Sequence, residues 1–180
     1  MAAKVSLLMT IMKKTLEIQP LTHEAFSAYG DVIEASENAK VIDINEGFTK
    51  RFHDLATIDV ADNNGHPLVN IFRSQPLAQP IAINMMERHP HGSQAFIPLS
   101  NNPYLVVVAP AGEFDENNIV AFLAKASQGV NYHKGTWHHF CLALNEASDF
   151  LVIDRGGEGD NCDVLTLDGS LVIEQFSNKP

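Results

Sequence analysis

The 180-residue sequence is poor in basic residues and in cysteine, and it contains no long apolar run. Its 12 lysines and arginines stand against 22 aspartates and glutamates, which gives a formal net charge of −10. Because nucleic-acid binding needs clustered cations, this balance argues against a nucleic-acid partner. The two cysteines, Cys141 and Cys162, form no Cys-x-x-Cys pair, so they predict reduced thiols in a cytoplasmic protein. No segment approaches the ~20 apolar residues of a membrane-spanning helix.

The start of the chain, "MAAKVSLLMTIMKK", shares only a basic residue and an apolar run with secretory signals. The run from Val5 to Met12 is short, ends in two lysines and is followed by no small-residue cleavage site. We therefore predict that residues 1–14 are a disordered or upstream-start extension. Residues 15–180 are expected to fold as one domain, which at this size buries roughly 70% of the unfolded surface.

The rest of the chain alternates short apolar runs with turn residues. Runs rich in Val, Ile and Phe that are separated by Asn, Gly, Pro and Asp are typical of β-strands. One helix is predicted from His23 to Tyr29, because Thr22 can cap its first turn and Gly30 can end it. Ten strand-like runs in one domain indicate an all-β sandwich or barrel. The runs are "VIDI", "LVNIF", "IAINMM", "AFIPL", "YLVVVAP", "IVAFLA", "FCLAL", "FLVID", "CDVLTL" and "SLVIEQF".

The segment "NYHKGTWHHF", residues 131–140, contains three histidines. Imidazole is the commonest metal ligand and changes charge near neutral pH, so such a cluster suggests catalysis or metal binding. A single histidine is more often a surface or hydrogen-bonded core residue. Successive residues of a strand point to opposite faces, so only one of His138 and His139 can face the interior. Alternation alone does not decide which of the two it is.

The segment "MMERHPHGSQAFIPL" is the second candidate for a functional site. Glu87, His89 and His91 alternate along it and would share one face of a strand. Pro90 and Gly92 interrupt the strand pattern, so alternation does not fix the direction of side chains beyond them.

The two histidine segments resemble the two motifs of the cupin superfamily. "HKGTWH" keeps Gly135 and His138 at the spacing of the second motif, with His133 where cupins usually carry proline. "HPHGSQ" corresponds to the first motif and supplies His89 and Gln94. The resemblance implies a cupin-like double-stranded β-barrel. Together with the predicted helix, the expected fold class is an all-β, cupin-like barrel with a short N-terminal helix.

A longer resemblance covers most of the chain. The segments "HEAFSAYGDVIE", "RFHDLA", "FRSQP", "ERHPHGSQAFIPL", "QGVNYHKGTWHH" and "DFLVIDRGGEGDNCDV" are similar, in this order, to the ureidoglycolate lyase family. That resemblance implies a cytoplasmic homodimeric enzyme that converts (S)-ureidoglycolate to glyoxylate and urea in allantoin (purine) breakdown. The family pattern does not require a histidine at position 91.

The implied reaction collapses a carbinolamine, so a proton must leave the hydroxyl group and another must reach the urea nitrogen. A divalent metal, nickel or a similar ion, is expected to be held by His89, Gln94 and His138. Without a metal, a histidine would serve as the base. His133 is the preferred proton shuttle, and His138 and Glu87 are further catalytic candidates. Glu87 could instead be a structural partner of its neighbour in sequence.

The substrate carboxylate requires a cation. Arg73 is the first choice, because it lies in a strand and a guanidinium offers a bidentate fork. Arg155 is the second, with an ion pair to Asp154, Asp160 or Asp163 as its structural alternative.

Two other functions fit the same composition and β-pattern. One is a different metal-dependent cupin enzyme, such as an isomerase or a dioxygenase. The other is a cupin that binds a small molecule without catalysis. In all three cases the expected partners are a small-molecule ligand and a second copy of the chain, with no nucleic acid and no membrane.

Overall fold

The computed structural model of the protein describes residues 13–176, and most of its regular structure is β-strand. Three short 3-10 helices are found in the described chain, at Asn45–Gly47, Asp62–Asn64 and Glu116–Asn118. The strands are β1 Lys14–Thr15, β2 Ile18–Pro20, β3 Gly30–Ile33, β4 Lys40–Ile44, β5 Thr49–His53, β6 His66–Ser74, β7 Ile81–Ala82, β8 Met85–Arg88, β9 Gln94–Pro98, β10 Tyr104–Ala109, β11 Val120–Ala124, β12 Gly129–Tyr132, β13 Trp137–His138, β14 Leu142–Ala143, β15 Ser148–Gly156, β16 Asp163–Thr166 and β17 Leu171–Ile173.

The described strands form four sheets. The largest has seven strands in the order β16-β8-β13-β10-β11-β2, with β14 also paired to β10. A five-stranded sheet has the order β3-β12-β9-β15-β6, a three-stranded sheet the order β1-β17-β7, and β4 and β5 form a hairpin. The expectation of an all-β protein is therefore correct.

Strand β10 is buried on both faces and separates two apolar cores. Val106 and its alternate neighbours belong to one core with Phe96 and Val152 of the five-stranded sheet. Val107 belongs to the other core with Leu171 of the three-stranded sheet. The seven-stranded sheet is thus the middle layer, and the side of it that faces the five-stranded sheet carries the histidines described below.

Besides the three 3-10 helices, the described residues contain one α-helix, α1 His23–Phe26. The Thr22 side chain accepts a hydrogen bond from the backbone of Ala25, which caps the helix. The predicted helix to Tyr29 was too long, because the Tyr29 carbonyl accepts hydrogen bonds from the backbone of His133 and the side chain of Thr136. Tyr29 therefore holds the second histidine motif by hydrogen bonds instead of continuing the helix. Within residues 13–176, no helix has the length and apolar character needed to cross a membrane.

The N-terminal extension, predicted for residues 1–14, lies almost entirely outside the described residues. Lys14 is the exception, because it is the first residue of β1 and pairs with Leu171 of β17. The boundary between residues 14 and 15 therefore falls inside a strand.

Candidate active site

Strands β8 and β13 bring one carboxylate and two imidazoles together. Glu87 of β8 is the register partner of His138 of β13. The rings of His89 and His138 have centroids 5.1 Å apart. One ligand atom from each of the three side chains lies within 4.8 Å of the other two. We call Glu87, His89 and His138 the site cluster.

The turn between β12 and β13 is tied to the backbone of the first motif. Gly135 has a φ of 79°, in the left-handed region that glycine adopts without a steric cost. Its N–H donates to the carbonyl of His89 over 3.0 Å. The glycine of the second motif therefore fixes the distance between the two histidine segments.

His138 is held as a neutral imidazole with one free nitrogen. Its side chain is 1% exposed and stacks on Tyr132 with ring centroids 4.4 Å apart and planes 7° apart. Burial, and after it the charge of the neighbouring His89, lowers its pKa to about 3. Nδ1 lies 3.2 Å from the carbonyl oxygen of His139, which can only accept, so Nδ1 carries the proton. Nε2 is buried without a hydrogen-bond partner among the described residues.

His89 has the same arrangement. Its Nδ1 lies 2.6 Å from the carbonyl oxygen of Asn161, and its Nε2 is buried without a partner in residues 13–176. The Oε1 atom of Gln94 is also buried and unpartnered there. Imidazole nitrogens and carboxylate oxygens are ligand types that divalent transition metals accept, and Glu87, His89 and His138 offer such atoms within 4.8 Å of one another.

A cavity of about 240 Å³ opens beside the site cluster. A larger hollow of about 450 Å³ lies at the base of the β4–β5 hairpin, but no residue of the site cluster lines it. We therefore take the smaller cavity as the candidate site. Its lining residues are His89, Ser93, Gln94, Asp154, Arg155, Asn161 and Cys162.

Arg155 brings a positive charge to this cavity. Its side chain donates to the carbonyl oxygens of Asp62, Asn63 and Glu158, at 2.8 to 3.4 Å. The residue is 8% exposed, and no carboxylate of the described chain forms a salt bridge with it. A buried guanidinium that is solvated only by carbonyls favours an anionic ligand.

Two carboxyl groups beside the cavity hold protons more readily than exposed ones. Burial raises the pKa of Glu87, although the charge of His89 opposes the rise. Burial also raises the pKa of Asp154, whose Oδ1 accepts a hydrogen bond from Asn70 over 3.0 Å. The site therefore combines two carboxyl groups with raised pKa values, the neutral imidazole of His138 and a buried cation.

Comparison with known proteins assigns this site to a family. The ureidoglycolate lyase family model matches residues 13–174. The ureidoglycolate lyase of Burkholderia mallei (strain NCTC 10229) is 59% identical over 158 residues, covering 88% of this chain and 92% of that protein. That of Burkholderia cepacia is 57% identical over 160 residues, covering 88% and 90%. That of Pseudomonas aeruginosa (strain LESB58) is 48% identical over 169 residues, covering 92% and 99%. The chain belongs to the ureidoglycolate lyase family.

Three of the predicted site residues, His89, Gln94 and Arg155, line this cavity. Glu87 and His138 lie with His89 in the site cluster. Arg88 forms its ion pair with Asp163 over 2.8 Å and therefore does not pair with Glu87. Among the described residues, Arg155 forms no salt bridge with Asp154, Asp160 or Asp163.

The structure does not bring Arg73 or His133 to the cavity. Arg73 binds Asp149 through two hydrogen bonds of 2.7 and 2.8 Å, and its side chain is 69% exposed. Asp149 lies near the opposite end of β15 from Asp154. His133 is 48% exposed at its side chain and contacts Asp31 over 3.2 Å. The sequence pattern placed Arg73 in a strand but did not indicate how far it lies from the cavity. It also gave no direction for the turn that contains His133.

His91 and His139 stay apart from the site cluster. The backbone N–H of His91 donates to Asn161, and the His139 ring contacts the carbonyl of Phe140. His138, rather than His139, lies beside His89. His138 is the histidine that the second cupin motif indicated. The expectation that only one of the two histidines faces the interior was wrong, because both residues are buried.

Sequence reasoning missed Asp154 and Asn161 as site residues. Asp154 follows the buried Phe150 and Val152 at the same alternation along β15, so it continues the inward face. That signal was present in "FLVID". Asn161 lies in an irregular loop, where periodicity gives no direction.

Proposed function

We propose that this chain is a ureidoglycolate lyase, which converts (S)-ureidoglycolate to glyoxylate and urea in allantoin (purine) breakdown. The names of relatives at 48% to 59% identity support the reaction. The structural observation that carries it is the position of Arg155, a buried guanidinium that binds carbonyl oxygens, has no salt bridge within residues 13–176 and shares a small cavity with the histidine motif. A small substrate with one carboxylate suits that combination.

The reaction needs a binding group for the carboxylate and a route for one proton. Collapse of the carbinolamine removes the hydroxyl proton, forms the aldehyde and breaks the carbon–nitrogen bond. The nitrogen leaves as urea after it gains a proton, and no water is consumed. General acid and base groups each contribute typically ~10²- to 10⁴-fold to such a step.

We assign the carboxylate to Arg155 instead of Arg73. Arg73 is already bound to Asp149 on the surface, whereas Arg155 has only carbonyl partners. With the carboxylate at Arg155, the reacting carbon lies towards His89, which lines the same cavity.

We assign the proton to Glu87 instead of His133. Glu87 belongs to the site cluster and accepts a contact from the thiol of Cys162, which lines the cavity. Its carboxylate can take the hydroxyl proton and return it to the leaving nitrogen, and burial raises its pKa, which makes it a stronger base than an exposed glutamate. His138 provides a neutral imidazole that can accept a hydrogen bond at Nε2.

A divalent ion, nickel or a similar metal, fits the Nε2 atoms of His89 and His138 and the Oε1 atom of Gln94. These three buried atoms lack other partners in the described chain. Glu87 is close enough to be a fourth ligand. Such an ion would lower the pKa of a hydroxyl group bound to it and so assist proton removal.

We further propose a cupin-like barrel, a homodimer and a cytoplasmic location. The apolar core shared by the seven-stranded and five-stranded sheets supports the barrel. Strand β6 is an edge strand with Val69 70% exposed and Ile71 57% exposed, and a second copy could cover it. The two free cysteines, Cys141 and Cys162, suit a reducing compartment.

The proposed function is tested by incubating the protein with racemic ureidoglycolate while oxygen consumption is recorded. We expect glyoxylate to form from one enantiomer with no uptake of oxygen. Oxygen uptake would indicate a dioxygenase. Binding of ureidoglycolate without turnover, both as purified and after loading with nickel, would indicate a ligand-binding cupin and would overturn the proposal.

A further inference from the structure

The loop between β15 and β16 contacts the first histidine motif at two residues, His89 and His91. Asn161 makes both contacts. Its carbonyl oxygen lies 2.6 Å from Nδ1 of His89, and its side-chain oxygen accepts the backbone N–H of His91 over 2.7 Å. The same residue also lines the cavity.

The first contact determines which nitrogen of His89 carries a proton. A backbone carbonyl can only accept a hydrogen bond, so Nδ1 must be the donor. In a neutral imidazole the lone pair is then on Nε2, which is the buried, unpartnered atom of the ring. The opposite tautomer would point an N–H group at the site, where it could neither bind a metal nor accept a proton.

The second contact keeps the first in place. The side chain of Asn161 fastens the loop to the backbone two residues beyond His89, so the carbonyl cannot move away while that bond persists. Earlier in the same loop, Gly157 and Gly159 have positive φ values, a conformation that glycine adopts without a steric cost.

We infer that Asn161 is a positioning residue, which sets the tautomer and the ring orientation of His89 through its carbonyl and holds that carbonyl in place through its side chain. The expected loss of activity in Asn161 variants rests on the proposed function. The expected change in the tautomer of His89 does not.

The matched variants are Asn161→Ala, Asn161→Asp and Asn102→Ala. Alanine removes the side-chain bond to His91, whereas aspartate keeps an acceptor oxygen at the same place. Asn102 is the control, because its side chain also makes hydrogen bonds, to Glu146 and Ser148, away from the cavity. Circular dichroism confirms that each variant is folded.

The direct measurement is the nitrogen-15 spectrum of the histidine rings, recorded without metal, with His89 assigned by its loss in His89→Gln. We expect the Nδ1–H tautomer for His89 in the wild type and in Asn102→Ala. Asn161→Ala should give a mixture of tautomers, and Asn161→Asp should restore the wild-type form. Outer-shell changes of this kind typically cost about 10- to 100-fold in activity or metal affinity, which we expect for Asn161→Ala.

An Nε2–H tautomer of His89 in the wild type would overturn the inference. So would an unchanged tautomer in a folded Asn161→Ala variant, because the side chain would then not hold the carbonyl. If the tautomers behave as expected but the wild type does not cleave ureidoglycolate, the proposed function fails and the positioning role of Asn161 stands.

Discussion

His138 and Glu87 are register partners across β13 and β8, and Nδ1 of the imidazole lies 3.8 Å from Oε1 of the carboxylate. The contact has the geometry of a salt bridge, but the imidazole is neutral near pH 7 because burial lowers its pKa to about 3. Burial also raises the pKa of Glu87. The pair therefore combines a carboxyl that can hold a proton with an imidazole that does not compete for it.

The two histidines of the first motif should differ in importance. His89→Ala should lower kcat/KM by at least ~100-fold, the scale of losing a general acid–base group or a ligand. His91→Ala should change it by less than about 3-fold, because the hydrogen bond from His91 to the site loop comes from its backbone N–H, which alanine keeps. The measurement is steady-state turnover, with thermal melting to show that both variants are folded. Equal losses in the two variants would contradict the assignment.

Arg155 should determine substrate binding. Arg155→Lys keeps the positive charge but loses the paired N–H donors of the guanidinium. KM should therefore rise by about 10-fold or more, since a hydrogen bond to a charged group contributes ~1.5–3 kcal/mol. Arg73→Lys is the matched control, because Arg73 is bound to Asp149 on the surface, and its KM should stay within about 2-fold of wild type. A larger KM effect from Arg73 than from Arg155 would restore the expectation drawn from the sequence.

The stability of the metal-free protein should fall in mild acid because of His138. Its pKa is about 3 in the folded chain and about 6.5 in the unfolded chain. Below pH ~6.5 the unfolded chain therefore binds a proton that the folded chain does not, so stability present above that pH is lost as the pH falls towards 3. The free energy of unfolding is measured with urea at about pH 7.5 and at about pH 5. Between these two pH values it should fall by up to about 2 kcal/mol less in His138→Asn than in wild type. Equal losses would show that His138 is not buried as a neutral ring.

The exposed edge of β6 should be the dimer contact. Val69→Lys places a charge on that edge, and light scattering should show a monomer where the wild type gives a dimer. Val164→Lys is the control, because Val164 is also an exposed valine, 57% accessible, but lies on β16. A wild-type monomer at micromolar concentration, or dissociation only in the control, would contradict the assignment.

The strands were predictable and the site was partly so. All ten apolar runs contain strand residues, because burial of alternating or continuous β-branched side chains leaves a clear sequence pattern. The choice of His138 over His139 came from the spacing of the second cupin motif. Strand β12 was not among the predicted runs, because a segment with glycine and asparagine becomes a strand only through tertiary pairing.

The remaining site residues depend on contacts between distant parts of the chain. Arg73 and Arg155 both looked suitable in the sequence, and only the register of β15 with β6 shows that Arg73 is paired with Asp149. Asn161 acts on His89 across a loop whose path no periodicity indicates. Such contacts become visible only once the strands are assembled.

The most direct test of the central claim measures the products of racemic ureidoglycolate with wild type and with His138→Ala in parallel. The wild type should release glyoxylate and urea in equal amounts, form no ammonia and stop when about half of the substrate is consumed, since one enantiomer is cleaved. A folded His138→Ala variant should be at least ~100-fold slower. Ammonia in place of urea, or wild-type rates in His138→Ala, would contradict the account of a lyase whose active site is built around this imidazole.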